Sequence, residues 1–242
     1  MMDKVGLQAL SYRLGQSRKR ANKGTDKRTG KQGFLNRVSL GLMLLTTLLG
    51  VSAVAWSENV AKISDPYEVV EAVTDEVLNV VGAKQALLDE DPQAFYAAVG
   101  EVLSSVVAFD YIAYGVMGDY AKQATPEQRQ RFSEVFRENL ISTYAKGMAV
   151  YGQQKIVLVR PEGGVGDKDR IGVEQKVQTD EGEHTVTYTM AKSKRDNAWK
   201  LLNVTINGIN LGKTFRSQFS QAMRKAGNLD AVIEGWSASA NG

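Results

Sequence analysis

The sequence predicts an α+β fold, with helices packed on one curved, four-stranded antiparallel sheet. Three observations predict it. Apolar residues recur about every four positions from Val70 to Met148, then at every second position from Ile156 to Ile206. Tight-turn sequences separate the alternating runs at short intervals, as in a meander. Helical spacing then returns in Phe215, Phe219 and Met223. Helices, then strands, then helices is the segregated order of α+β proteins and not the regular alternation of a parallel sheet.

Ser64-Asp65-Pro66 opens the first helix, because Asp65 supplies an N-cap oxygen and Pro66 suits the first helical position. Val70, Val73, Val77 and Val80/Val81 form its inner stripe, and Gly82 marks its end. Asp91-Pro92 repeats the start signal before Phe95, Val99, Val102 and Val106. A short helix follows from Asp110 to Gly118 with Asp110 as its cap. Tyr111, Ile112, Tyr114, Val116 and Met117 make it apolar nearly all round. Thr125-Pro126-Glu127-Gln128 is a capping box. The helix it opens carries Phe132, Val135, Phe136, Leu140, Tyr144 and Met148 inside and Glu127, Arg131, Glu134, Arg137 and Glu138 outside, with Gly152 as its stop.

The first strand covers residues 156–159, and the glycines at 163, 164 and 166 form the loop after it. Ile171, Val173, Gln175 and Val177 alternate along the second strand, which Asp180-Glu181-Gly182 turns into the third. There Val186, Tyr188 and Met190 alternate with Thr185, Thr187 and Thr189. After the turn at Lys194-Arg195-Asp196-Asn197, residues 198–206 form the fourth strand. Strict alternation puts Val204 and Ile206 on one face and Trp199 and Leu201 on the other, so this strand is expected to be buried on both faces. It turns at Asn207-Gly208 into the helix of Phe215 and Phe219. Gly227 ends that helix, and Asn228 caps a last one with Leu229, Val232, Ile233 and Trp236.

Residues 38–55 contain no charge, follow Arg37 and end in Ala53-Val54-Ala55. A basic flank, an apolar core and small residues at the last and third-last positions are the parts of a secretory signal, with cleavage after Ala55. Residues 1–37 form a long basic leader, in which Ser17-Arg18-Lys19-Arg20 separates the two arginines that a twin-arginine signal sets side by side. A translation start near Leu35 is the alternative, and it leaves a signal of ordinary size. The leader carries ten Lys/Arg against two Asp/Glu, so the whole-chain net charge of +3 becomes −5 from residue 56 onward. The basic balance therefore belongs to the leader, and a nucleic-acid role loses its support. Residues 56–242 are long enough for a single domain with its own core, and the chain has no cysteine for a disulfide framework.

Material for catalysis is thin. The one histidine, His184, stands beside a hairpin turn and reads as a solvent-facing strand residue. No thiol is available, and one histidine does not make a zinc site of the usual His/Cys kind. The glycines at 163, 164 and 166 lie between two strands, so no helix N-terminus meets them as a phosphate site requires. Asp110 between Phe109 and Tyr111 is the most enzyme-like carboxylate, and its plain role is the helix cap. The remaining signal is apolar. Tyr111, Val116, Met117, Phe132, Phe136, Tyr144 and Met148 face the sheet from the helices. Val173, Val177, Val186, Tyr188, Met190, Val204 and Ile206 face the helices from the sheet, and the helix of Phe215 closes over them. The residues alone leave a filled core and an apolar cavity equally open.

Several stretches occur in a specific order: Asp65-Pro66-Tyr67; Phe109-Asp110-Tyr111 leading to Val116-Met117-Gly118-Asp119-Tyr120; Ala124-Thr125-Pro126-Glu127-Gln128-Arg129 with Phe132 and Phe136, then Tyr144; Trp199-Lys200-Leu201; Asn207-Gly208-Ile209-Asn210-Leu211; Phe215-Arg216-Ser217-Gln218-Phe219; and Gly227-Asn228-Leu229. This ordered set, from Asp65 to Trp236, resembles the MlaC family, the periplasmic phospholipid-binding proteins of the Mla lipid-transport system, also called the toluene-tolerance family. The long basic leader departs from the family pattern.

The resemblance implies a nuclear-transport-factor-like cone whose helices enclose an apolar pocket, with the residues named above and Phe215 as lipid-binding wall. It implies a periplasmic carrier that is not an enzyme and maintains outer-membrane lipid asymmetry. Phospholipid is then cargo and no cofactor is needed. Its partners would be an inner-membrane transporter of the ABC type, with its periplasmic substrate-binding ring, and an outer-membrane lipoprotein complex, and the carrier itself would be a monomer. Met117, Met148 and Met190 suit varied tails because methionine adapts its shape. Two other readings stay open: an enzyme on the same scaffold using Asp110 with Tyr111 or Tyr114, and an interaction module with a filled core.

Overall fold

The structure, a computed structural model, describes residue 56 and residues 59–151, 154–180 and 182–240. The leader, the apolar run and the expected cleavage point at Ala53 and Ala55 lie outside the described residues. Helices α1 (Pro66–Lys84), α2 (Leu87–Glu90), α3 (Pro92–Val106), α4 (Phe109–Met117), α5 (Tyr120–Gln123) and α6 (Pro126–Tyr151) come first. Strands β1 (Lys155–Val159), β2 (Arg170–Thr179), β3 (Gly182–Lys192), β4 (Trp199–Ile206) and β5 (Ile209–Asn210) follow, then α7 (Leu211–Ala226) and α8 (Leu229–Ala240). The strands form one antiparallel sheet in sequence order. The sheet has five strands where four were expected. The fifth is only two residues long, below the length at which alternation is visible.

The helix starts follow from local chemistry. The Asp65 carboxylate accepts from the Tyr67 N–H at 2.7 Å, and Asp91 accepts from the Ala94 N–H at 3.2 Å. Thr125 and Gln128 close their capping box reciprocally, at 3.1 and 3.2 Å. Asn210 and Asn228 cap α7 and α8 by accepting from Lys213 and Ala231. Gly227 ends α7 in the left-handed conformation, at φ 74°. Asp110 is not the cap of α4. That position falls to Ala108, and the Asp110 carboxylate, in the first turn, accepts a hydrogen bond from the Ser133 hydroxyl of α6.

One irregularity reshapes the sheet. The β3–β4 register slips by one residue between Thr189 and Met190, so β4 carries an extra residue, Leu202. Val186 and Tyr188 pair with Ile206 and Val204, while Met190 and Lys192 pair with Leu201 and Trp199. Trp199, Leu201, Val204 and Ile206 therefore share one face. This corrects the expectation from strict alternation, which splits them between two faces. The same inner face holds Ile156 and Leu158 of β1, then Val173, Gln175 and Val177 of β2. The other face carries Glu174, Lys176, Thr185, Thr187 and Thr189.

The buried core is divided into three clusters. One joins Val116 and Met117 of α4 to Phe132 and Phe136 of α6, Phe219 of α7 and Val232 and Ile233 of α8. Its aromatic rings meet edge to face: Phe132 lies 4.8 Å from Phe219 and 5.5 Å from Trp236. A second joins Val69 and Val70 of α1 and Val106 of α3 to Val173, Met190 and Trp199 of the sheet. The third holds α1, α3 and the C-terminal half of α6 together through Val77, Val81, Phe95, Val99 and Ala145.

Candidate functional site

The inner face of the sheet differs from end to end. At one end Val173, Met190 and Trp199 are fully buried in the second cluster, and the Trp199 indole N–H donates to the Ser64 carbonyl at 2.7 Å. At the other end Val177, Val186, Val204 and Ile206 are only half-buried and belong to none of the three clusters. The long helix α6 packs on α1, α3, α4 and α8, and no strand is among its extensive neighbours. Among the described residues the open end of the sheet is thus not closed by α6, and the region between them is termed the seam. Phe215 of α7 stands beside it, half-buried, 5.4 Å from Phe136.

A polar chain crosses the middle of this face. The Tyr188 hydroxyl donates to Gln175 Oε1 at 3.0 Å, Gln175 Nε2 donates to Thr74 Oγ1 at 3.0 Å, and Thr74 donates to the Val70 carbonyl at 2.7 Å. Burial pushes the Tyr188 phenol up to about 12 from its ordinary 10.0. Gln175 is buried and fully engaged, so the chain separates the sealed end from the open one without leaving an unpaired polar atom. Beside Gln175 and Thr74 lies a cavity of about 170 Å³ between α1 and the first two strands, lined also by Leu78, Ile156 and Leu158.

Tyr144 of α6 is half-buried, and desolvation raises its phenol pKa. Its hydroxyl makes no hydrogen bond among the described residues. The hydroxyl is not among the fully buried polar atoms, so water reaches it.

The expected wall residues fall into three placements. Val177, Val186, Val204, Ile206 and Tyr144 are half-buried and join no cluster, Phe215 is half-buried against the first cluster, and Tyr188 bonds Gln175 across the inner face. Val116, Met117, Phe132, Phe136, Val173 and Met190 are buried in clusters, and Met148 packs on the third. Tyr111 stands apart. It is 59% exposed and Tyr114 is 50% exposed, so neither belongs to an interior wall. An α4 that is apolar nearly all round hides which side faces inward. The sequence reading missed Gln175 as a site residue, although its alternation with Val173 and Val177 already marks it as a polar group on the apolar face.

His184 also departs from expectation. It sits on the inner face opposite Val177, half-buried, with Asn207 Nδ2 at 2.9 Å from Nδ1 and Thr179 Oγ1 at 3.1 Å from Nε2. Among the described residues no three acidic or histidine side chains stand close enough to hold a metal.

The family model described as MlaC protein matches residues 71–238. The toluene tolerance protein ttg2D of Pseudomonas putida is 37% identical over 174 residues, which cover 71% of this chain and 79% of that protein. The chain belongs to the MlaC family. A second relative, the intermembrane phospholipid transport system binding protein MlaC of Haemophilus influenzae, is 23% identical over 70% of this chain and 79% of its own length. A solved structure of a phospholipid-binding protein from Ralstonia solanacearum, in complex with a phospholipid, superposes with a TM-score of 0.66 at 25% identity. It covers 74% of this chain and 99% of its own. The MlaC match takes in every candidate wall residue, from Tyr111 to Phe215.

Proposed function

We propose that this chain is a non-enzymatic phospholipid carrier of the periplasm that takes acyl chains into the seam between α6, α7 and the open end of the sheet. One observation carries the proposal: Val177, Val186, Val204 and Ile206 face the helices yet join no core cluster. The named properties of the relatives support it, since one binds phospholipid for intermembrane transport and another was solved with a phospholipid bound.

The energetics set what the seam must do. Two acyl chains of about 16 carbons hold roughly 30 methylenes, and at about 0.8 kcal/mol each their exposure to water costs on the order of 25 kcal/mol. A carrier competes with a bilayer only by burying nearly all of both tails. The divided core permits this. Separating α6 and α7 from the open end breaks into none of the three clusters, and tails entering there replace one apolar contact with another. The Tyr144 hydroxyl, which makes no hydrogen bond among the described residues, would be available to a polar atom of the ligand. The Asp110 carboxylate is engaged with Ser133, which suits a structural role and not proton transfer.

The chain would collect lipid from, and deliver it to, an outer-membrane lipoprotein complex and an inner-membrane transporter of the ABC type, as a monomer, and so maintain outer-membrane lipid asymmetry. Organic extraction of protein purified from its own cells, followed by mass spectrometry, tests the reading. Phospholipid is expected in near-stoichiometric amount. Protein that carries none and takes up none from liposomes defeats it.

A further inference from the structure

Away from the seam, the contact between α4 and α7 is built in a way that carrying lipid does not explain. Gly118 caps α4 at φ 58° and ψ −128°, a conformation open essentially to glycine. A Cβ there would lie 2.8 Å from Arg216 Nε, 2.9 Å from Nη2 and 3.0 Å from Cζ. These near-equal distances place the guanidinium across the bare backbone, at the edge of a cavity of about 310 Å³ that Gln123 and Ser220 also line. Arg216 nevertheless makes no hydrogen bond among the described residues. Its single charge contact among the described residues is Asp119 at 4.0 Å, a carboxylate that also meets Lys122 at 3.4 Å. The Arg216 side chain is 57% exposed, so its donors face solvent and are open to a carboxylate that docks on this surface.

Two further features surround it. Tyr111, Gly115 and Gly118 fall on one face of α4 with Tyr114 beside them, and both tyrosines are exposed. Helix α7 carries Lys213, Arg216, Arg224 and Lys225 and no acidic residue, in a chain whose residues from 56 onward have a net charge of −5.

We propose that the Tyr111–Tyr114 face of α4 and the basic face of α7 together form a docking surface for an acidic segment of a protein partner. The two tyrosines anchor the segment, and Arg216 receives one of its carboxylates in the cavity. Tyrosine and arginine are the residue types that dominate interface energetics, and the flanking lysines steer an acidic partner. The concave notch and the single oriented fork fit a protruding side chain and not a flat bilayer surface. The inference goes beyond the carrier reading and rests on it only in that a carrier must meet what loads or unloads it.

The test places a photo-crosslinking residue at position 114 of the full chain in its own bacterium, with Arg216 intact or as Arg216→Glu, and measures bound phospholipid in both. The same probe at Val157, exposed on the outer face of the sheet, is the control. The expected result is an adduct to an envelope protein through a segment rich in Asp and Glu, specific to position 114. It should fall at least about tenfold in Arg216→Glu, which replaces the attraction for an acidic segment with repulsion, while bound lipid is unchanged. An adduct to phospholipid alone, no adduct, an equal adduct from Val157 or one indifferent to Arg216→Glu overturns the proposal. Loss of bound lipid in Arg216→Glu also overturns it by assigning Arg216 to the lipid site. An unchanged lipid content together with a missing adduct leaves the carrier reading standing.

Discussion

At one end of the sheet's inner face, Val173, Met190 and Trp199 are sealed beneath α1 and α3. At the other, Val177, Val186, Val204 and Ile206 are left half-buried and join none of the three clusters. Both sets are apolar, so hydrophobicity does not separate the sealed end from the open one. What separates them is whether the facing helix supplies side chains that reach. The second cluster closes over the sealed end, whereas the clusters around α6 are completed by helices alone. The Tyr188–Gln175–Thr74 chain marks the boundary.

Substitutions at the two ends should therefore fail in different ways. The largest loss of stability is expected from Trp199→Ala, which empties the sealed end and removes the hydrogen bond to Ser64. A buried Trp→Ala change costs about 3–5 kcal/mol, read as a shift in the denaturant midpoint. An equal loss from Val204→Ala would erase the distinction between the ends.

The boundary should show in the pH dependence of unfolding. Because the Tyr188 phenol is pushed up to about 12, the folded state keeps its proton at a pH where the unfolded chain releases it. The stability tied to that proton is whole below pH 10 and is lost as the pH rises towards about 12, by at most about 1.4 kcal/mol per pH unit. Tyr188→Phe should flatten this slope relative to the parent chain. An unchanged slope would place the Tyr188 hydroxyl in solvent. The smallest effect belongs to the surface of the sealed end. Arg160 pairs with Glu71 at 2.9 Å and with Asp65 at 3.5 Å, and all three are solvent-accessible. Arg160→Ala should cost about 1 kcal/mol or less.

Much of this was legible in the sequence where the cause is local. Asp65, Asp91, the Thr125 box and Gly227 act within a few residues of themselves, so the helix limits they set match closely. The features that pairing decides were hidden. The extra residue at Leu202 exists only against β3, and it moves Trp199 and Leu201 to the face of Val204 and Ile206. Strand β5 is too short to alternate, and the outward turn of Tyr111 depends on which side of α4 meets α6 and α7. The division of the core into three, which creates the seam, is a property of helix placement and has no signature in periodicity.

The most direct test of the seam is the phospholipid content of purified Ile206→Asp protein, set against Val157→Asp on the outer face of the same sheet. A charge in the seam opposes tails that have no group to pair with it. Ile206→Asp should fold and retain at least about tenfold less lipid than the parent chain. Val157→Asp should retain as much as the parent. Ile206→Trp fills the same space without a charge and should also lose lipid, which covers the case in which the charged variant does not fold. Folded Ile206→Asp and Ile206→Trp proteins that carry lipid at the parent ratio would contradict a lipid site at this end of the sheet.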